Sequence, residues 1–144
     1  MGAPESVLAE LARVVRPSGL IAVQVWAAGG LVVPRLFREA AATVGVEMVD
    51  PNVALGEADL LITALASAGL GRNTVREMTW RQPLPAPDDA WAGILASAVG
   101  GPVRDLDEEP RRSARREFIT AMTKELESSS VDVQSLPIAI GARS

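Results

Sequence analysis

A tight turn followed by an almost unbroken apolar run constrains this chain more than any other stretch. Pro17 cannot continue a helix because it has no amide hydrogen, and Gly19 suits the left-handed conformation of a turn. The run at 20–26 reads Leu-Ile-Ala-Val-Gln-Val-Trp, in which Gln24 is the one polar residue. This pattern predicts a strand that is covered on both faces, as in layered α/β proteins.

Hydrophobic spacing along the rest of the chain predicts one α/β domain over 1–144, with a helical insertion at about 88–127. The expected helices are 5–15, 34–44, 57–68, 88–98 and 108–127, and the expected strands are 20–26, 73–81 and 131–142. Gly69 is expected to end a helix rather than begin a phosphate-binding loop. Asp88 is expected to cap its helix, Gly100 to Pro102 to break the chain, and Pro137 to mark a bulge or an edge strand.

The complete absence of histidine and cysteine excludes several reaction classes. Without these residues the chain offers no Ser-His or Cys-His pair, no thiol nucleophile, no disulfide and few transition-metal ligands. The remaining acid and base candidates are carboxylates and Lys124, the single lysine. No catalytic residue can therefore be named from the sequence.

The charge pattern indicates no affinity for nucleic acids or membranes. The formal net charge is −4, whereas binding to polyanions needs clustered lysine and arginine. No apolar run reaches the roughly 20 residues of a membrane span, and the first residues lack the pattern of a signal peptide. A cytoplasmic location is expected.

Two charged clusters and three tryptophans are the remaining site candidates. The acids at 105–109 and the arginines at 111–116 have the spacing of ion pairs on a helix, so no metal site is expected. Trp26, Trp80 and Trp91 are prominent in a chain with only 3% aromatic residues. Core packing is the common role of tryptophan, and a ligand pocket is the alternative.

The stretch 8–26, LAELARVVRPSGLIAVQVW, resembles a segment of class I S-adenosylmethionine-dependent methyltransferases of the menaquinone/ubiquinone type. Their segment reads E-x-x-R-V-L-R-P-G-G-x-x-x-x-x-x-W and comprises the fifth strand with the helix before it. Ser18 replaces the first glycine of the pair, and Gly19 keeps the turn. The order of later elements also agrees, so the resemblance covers nearly the whole chain, although only this motif is specific.

The resemblance implies the C-terminal half of such an enzyme, with a partial Rossmann-like sheet in the order 5-7-6 and flanking helices. The family binds S-adenosylmethionine on its first four strands through a [DE]-x-G-x-G-x-G pattern, which this sequence does not contain. No cofactor-binding residue transfers, so the cofactor is expected only if a partner supplies the missing half. Trp26 and the loop after it correspond to the substrate-side rim, and Trp26, Phe37 and Trp91 are the candidate acceptor pocket.

The same resemblance removes one neighbour of the opening strand. Its edge carries neither charge nor proline, which invites pairing with another chain. The expected partner is a second copy across a two-fold axis, which gives a six-stranded sheet, or a complementary methyltransferase half. The residues of this partner edge are Leu20, Ile21, Ala22, Val23, Gln24, Val25 and Trp26.

Two functions from different classes stay open at this point. The chain is either half of a split methyltransferase acting on a small hydrophobic or aromatic acceptor, inactive alone, or a non-catalytic dimeric module that descends from such an enzyme and binds a ligand or protein. The sequence does not separate them.

Overall fold

Stripes of small and aliphatic side chains at helical spacing become helices in the computed structural model, which describes residues 4–143. The helices are α1 (Pro4–Val14), α2 (Val32–Ala42), α3 (Ala58–Ser67), α4 (Pro87–Ala96), α5 (Gly101–Arg104) and α6 (Glu108–Ser128), with a 3-10 turn at Ala98–Gly100. The strands are β1 (Leu20–Gln24), β2 (Leu70–Pro83) and β3 (Val131–Arg143). The prediction of a mixed α/β chain is confirmed.

The described residues divide into two compact units. The first comprises the chain up to Gly30, Pro51–Trp80 and the chain from Gln134 onwards; the second comprises Leu31–Asp50 and Arg81–Val133. Each unit has its own apolar core. The single domain over 1–144 with a helical insertion stays a prediction.

The three strands form one sheet in the order β1-β3-β2. β1 runs antiparallel to β3, with Leu20 opposite Ala142 and Gln24 opposite Ile138. The strand nearest the end of the chain is therefore the central one. Pro137 is buried within this central strand, so the edge-strand alternative is wrong, and the bulge alternative stays a prediction.

The proline nevertheless explains why β1 is shorter than predicted. Val25 N donates to Pro137 O at 3.3 Å, and proline has no N–H to return to Val25. Antiparallel strands are held by such reciprocal pairs, so the ladder ends at Gln24. Val25 and Trp26 lie beyond the strand.

The core of the first unit lies on one face of β1. Leu8 of α1, Leu61 and Leu65 of α3 and Ile21 of β1 are buried together, because alternate residues of a strand point to the same side. Leu20, on the opposite face, is 69% exposed. The prediction that the strand is covered on both faces is wrong for this chain, since helices cover one face only.

β3 changes its buried face partway along its length. Asp132, Gln134 and Leu136 are buried in its first half, whereas Pro137, Ala139 and Gly141 are buried in its second half. Even-numbered and odd-numbered side chains point to opposite faces, so the covered side switches between residues 136 and 137. The apolar side chains of Val133 and Ile140 are exposed as a result.

The second unit is built from helices around an aliphatic and aromatic core. The helix predicted at 34–44 is observed as α2, in which Leu36, Phe37, Ala40 and Ala41 are buried, and α6 contributes Ala114, Phe118 and Met122. α4 begins at Pro87 after Ala86, so the prediction that Asp88 caps it is wrong. Gly100–Pro102 also does not break the chain, because a 3-10 turn leads directly into α5.

No helix in the described range has the length and hydrophobicity that crossing a membrane requires.

Candidate functional site

The loop after β1 is the part of the first unit that corresponds to the predicted substrate-side rim. Gly30 N donates to Ala27 O at 3.0 Å, and Gly29 has a φ of +65°, which favours glycine. Trp26, which precedes the turn, is half-buried. The loop therefore places a partly exposed indole at the end of the opening strand.

Neighbouring atoms pack closely around Gly30 of this loop and around Gly56. A Cβ on Gly56 would lie 2.5 Å from both Ala28 N and Asn52 O, and 3.0 Å from Trp26 O. A Cβ on Gly30 would collide with the side-chain oxygen of Gln134. Glycine is thus required at both positions for the loop to pack against its neighbours.

The other two pocket candidates, Phe37 and Trp91, lie in the second unit and contact each other. Their ring centroids are 5.5 Å apart, and Phe118 completes a cluster with centroids 6.3 Å from Phe37 and 5.5 Å from Trp91. Phe37 and Phe118 are fully buried and Trp91 is 6% exposed. Tilted and edge-on rings at these distances are typical of core packing. Trp80, by contrast, is about half exposed on β2.

A buried carboxylate that sequence reasoning missed lies in the second unit. Asp132 Oδ2 accepts a hydrogen bond from Val32 N, the first amide of α2, at 3.1 Å, and Asp132 is 3% exposed. Leu31, which precedes α2, makes no side-chain capping bond. Asp132 therefore caps the helix from 100 positions along the chain. The sequence signal that could have revealed this carboxylate is an acidic residue placed between Val131 and Val133 in a predicted strand.

The charged residues of α6 are paired on the helix itself and with α4. Arg112 contacts Glu108 and Glu109, Arg115 contacts Asp88, and Arg111 donates to Arg104 O at 3.0 Å. Within residues 4–143 no three acidic, histidine or cysteine side chains come together as a metal site would need. The ion-pair interpretation of Glu108 and Arg112 is confirmed.

A cavity of about 300 Å³ lies in the first unit, at the end of β1 away from Trp26. Its lining residues are Ser18, Leu20, Gly71, Arg72, Ala142 and Arg143. Arg143 Nη1 donates to Arg13 O at 2.9 Å and to Val15 O at 2.5 Å, at the C-terminal end of α1. Arg72 has a φ of +50°. This cavity is cationic, and no sequence pattern predicted it.

The open edge of β1 is the remaining feature. Arg143 N donates to Gly19 O and Val25 N donates to Pro137 O, so the odd-numbered residues at both ends of β1 bond to β3. Because antiparallel pairing alternates, the backbone groups of Leu20, Ala22 and Gln24 point the other way. In the described range β1 has a neighbouring strand on one side only.

The comparisons with known proteins find matches among solved structures only. No protein-family model matches the sequence, and no curated protein matches it. Among solved structures, the chain is similar to phosphoethanolamine N-methyltransferase 2 of Haemonchus contortus in complex with phosphomonomethylethanolamine and S-adenosylhomocysteine. The sequence identity is 10% and the TM-score is 0.45; the match covers 99% of this chain and 30% of that one.

Proposed function

We propose that this chain is the substrate-side part of a class I S-adenosylmethionine-dependent methyltransferase that acts on a small hydrophobic or aromatic acceptor. In this proposal a complementary polypeptide pairs with the open edge of β1 and supplies the cofactor-binding strands. The open edge is the observation that carries the proposal. The chain alone is then inactive.

The order of the strands supports this proposal. In the methyltransferase arrangement that the sequence motif implies, the last strand lies between the other two, and the first of the three would touch the fourth strand of a complete enzyme. The observed order β1-β3-β2 has its last strand in the centre and its first strand at an edge. The backbone groups of Leu20, Ala22 and Gln24 are then the ones that would meet the missing neighbour.

The residues of the chain itself do not fit S-adenosylmethionine. The sequence contains no glycine-rich cofactor pattern, and the cavity at the start of β1 is lined by Arg72 and Arg143. Two guanidinium groups repel the cationic sulfonium of this cofactor. No step of methyl transfer is therefore assigned to residues of this chain.

The contribution that the chain can make is to hold the acceptor. Trp26 lies at the end of β1 that faces the substrate in the proposed arrangement, and its half-buried ring offers an apolar surface to an aromatic or aliphatic group. Fixing the acceptor in line with a reactive group reduces the entropic cost of reaction. The tight contacts of Gly56 keep the loop of Trp26 in one position.

The experiment measures binding of S-adenosylhomocysteine by calorimetry. The chain is tested alone and together with the product of a neighbouring reading frame that encodes the glycine-rich pattern. We expect binding by the pair and none by the chain alone. Binding by the chain alone would contradict the proposal, and so would absence of binding by the pair.

Ala22→Pro tests the role of the edge, because it removes an amide hydrogen that points away from β3. Ala22→Val is the matched control, since it keeps the amide and favours a strand. We expect the proline variant to lose cofactor binding by the pair and the valine variant to retain it. Hydrogen exchange of the Ala22 and Gln24 amides, which should slow when the pair forms, gives a second measurement if the proline variant does not fold.

A homodimer is the outcome that favours the second function. In that case sedimentation at micromolar concentration would show a two-fold dimer, which Ala22→Pro would dissociate. S-adenosylhomocysteine would then bind neither to this dimer nor to the chain mixed with the neighbouring gene product. That result would overturn the methyltransferase proposal and indicate a non-catalytic dimeric module.

A further inference from the structure

The cationic cavity at the start of β1 is a second candidate binding site, separate from the loop of Trp26. It lies at the opposite end of the strand from Trp26, and of its lining residues only Leu20 belongs to the edge that the proposed partner would pair with. The residues that line the cavity indicate which ligand it would bind.

The guanidinium of Arg143 is held in place without being neutralised. Its Nη1 donates to two carbonyl oxygens, those of Arg13 and Val15, which are among the acceptors that the end of a helix leaves without amide partners. These contacts fix the direction of the side chain. Neutral carbonyls leave the full positive charge in the group.

Arg72 is a second arginine among the residues that line the cavity. In the described part of the chain no carboxylate lies within 4.0 Å of either guanidinium, whereas five other arginines form such pairs. The chain as a whole has more acidic than basic residues, with a net charge of −4. Arg72 and Arg143 are thus the two arginines without a carboxylate partner that line this cavity.

The backbone around the cavity is strained. Ser18 and Arg72 have φ values of +62° and +50°, and they are the non-glycine residues with positive φ in the described range. Both line the cavity. Such conformations are unfavourable for residues with a Cβ, and they cluster at ligand sites.

We infer that this cavity binds a small phosphate monoester. Arg72 and Arg143 would contact the phosphate oxygens, for which the planar guanidinium is suited. The Ser18 hydroxyl is a further donor. Leu20 and Ala142 provide an apolar wall for the organic substituent.

The test uses inorganic phosphate, phenyl phosphate and acetate as probes, titrated into the purified chain at an ionic strength of about 0.15 M. Calorimetry gives the affinities, and the amide signals of Ser18 and Arg72 in nuclear magnetic resonance spectra give the location. We expect millimolar or tighter binding of inorganic phosphate, tighter binding of phenyl phosphate and much weaker binding of acetate. Acetate that binds as tightly as phosphate, or phosphate that leaves both amide signals unmoved, would overturn the inference.

Arg72→Gln and Arg76→Gln separate a specific site from general surface charge. Both arginines are exposed on β2, and only Arg72 lines the cavity. Losing a charge-assisted contact predicts a decrease in affinity of about tenfold for Arg72→Gln. Arg76→Gln should change the affinity by less than about twofold because long-range charge effects are screened. Equal losses in the two variants would contradict a built site.

The result is independent of the proposed function. Phosphate binding needs neither a partner chain nor S-adenosylmethionine, so its failure would leave the open edge of β1 unaffected. Failure of the paired-chain experiment would likewise leave the phosphate affinities unchanged.

Discussion

Replacing Asp132 with alanine tests how much stability the long-range helix cap provides. Asp132 Oδ2 lies 3.1 Å from Val32 N, and α2 has no acidic residue in its first turn and no local capping bond. The carboxylate therefore provides both the acceptor for an end amide and the negative charge that the helix dipole favours.

The expected loss follows from these two contributions. Removing a capping side chain costs about 0.5–2 kcal/mol, and the upper end applies to Val32 because its amide is partly buried and would be left without an acceptor. We expect Asp132→Ala to lower the free energy of unfolding by about 2 kcal/mol. Asp132→Asn keeps an oxygen acceptor and loses the charge, so its expected loss is about 1 kcal/mol.

Urea unfolding followed by far-ultraviolet circular dichroism measures these losses. With a denaturant slope of roughly 2 kcal/mol per molar, the alanine variant should unfold at about 1 M less urea than the original chain. Val133→Thr is the matched control, because it changes the adjacent exposed residue of the same strand and keeps the branched shape. It should move the midpoint by less than about 0.3 M.

Hydrogen exchange separates loss of the cap from a general loss of stability. The Val32 amide should exchange much faster in Asp132→Ala, while the amides in the middle of α2 should change only as the global stability does. An alanine variant as stable as the Val133→Thr control, with an unchanged Val32 amide, would refute the reasoning.

Two further substitutions test the cores. Phe118→Ala should lower the free energy of unfolding by about 3–5 kcal/mol because the ring is fully buried. Its control, Thr120→Ala on the exposed side of α6, should cost less than about 1 kcal/mol. Equal losses of the two variants in thermal unfolding would contradict the aromatic core. Gly56→Ala should destabilise the first unit because its Cβ would lie 2.5 Å from backbone atoms. Gly71→Ala is the control and should be tolerated, because its Cβ would meet nothing within 4 Å. If the two variants have the same melting temperature in a calorimetric scan, the loop accommodates the added Cβ and the prediction is wrong.

Much of the secondary structure could be predicted because the local pattern already decides it. The apolar stripe of α2 and the charged α6 follow the helical period, and both lie within two residues of their predicted bounds. Gly69, with a φ of +82°, ends α3 as expected. These features depend on neighbours three or four positions away, which the sequence displays directly.

The errors lie where distant parts of the chain meet. The change of buried face within β3 depends on which neighbours cover each half of the strand, and no alternation in the strand itself records it. The shortening of β1 follows from its alignment with Pro137, more than a hundred positions away. Neither the cap from Asp132 nor the cavity between Arg72 and Arg143 could be inferred without knowing which segments are adjacent.

By itself the sequence indicated an α/β chain with a strand after Gly19, and it showed that histidine and cysteine chemistry are absent. The tertiary structure alone decided that helices cover β1 on one face only, that Phe37 and Trp91 lie in a closed aromatic cluster, and that Arg72 and Arg143 line one cavity. The physical reason is the separation along the sequence of the residues that interact. Helix and strand formation follow from short-range periodicity, whereas edges, caps and cavities arise from contacts between residues that are far apart in the chain.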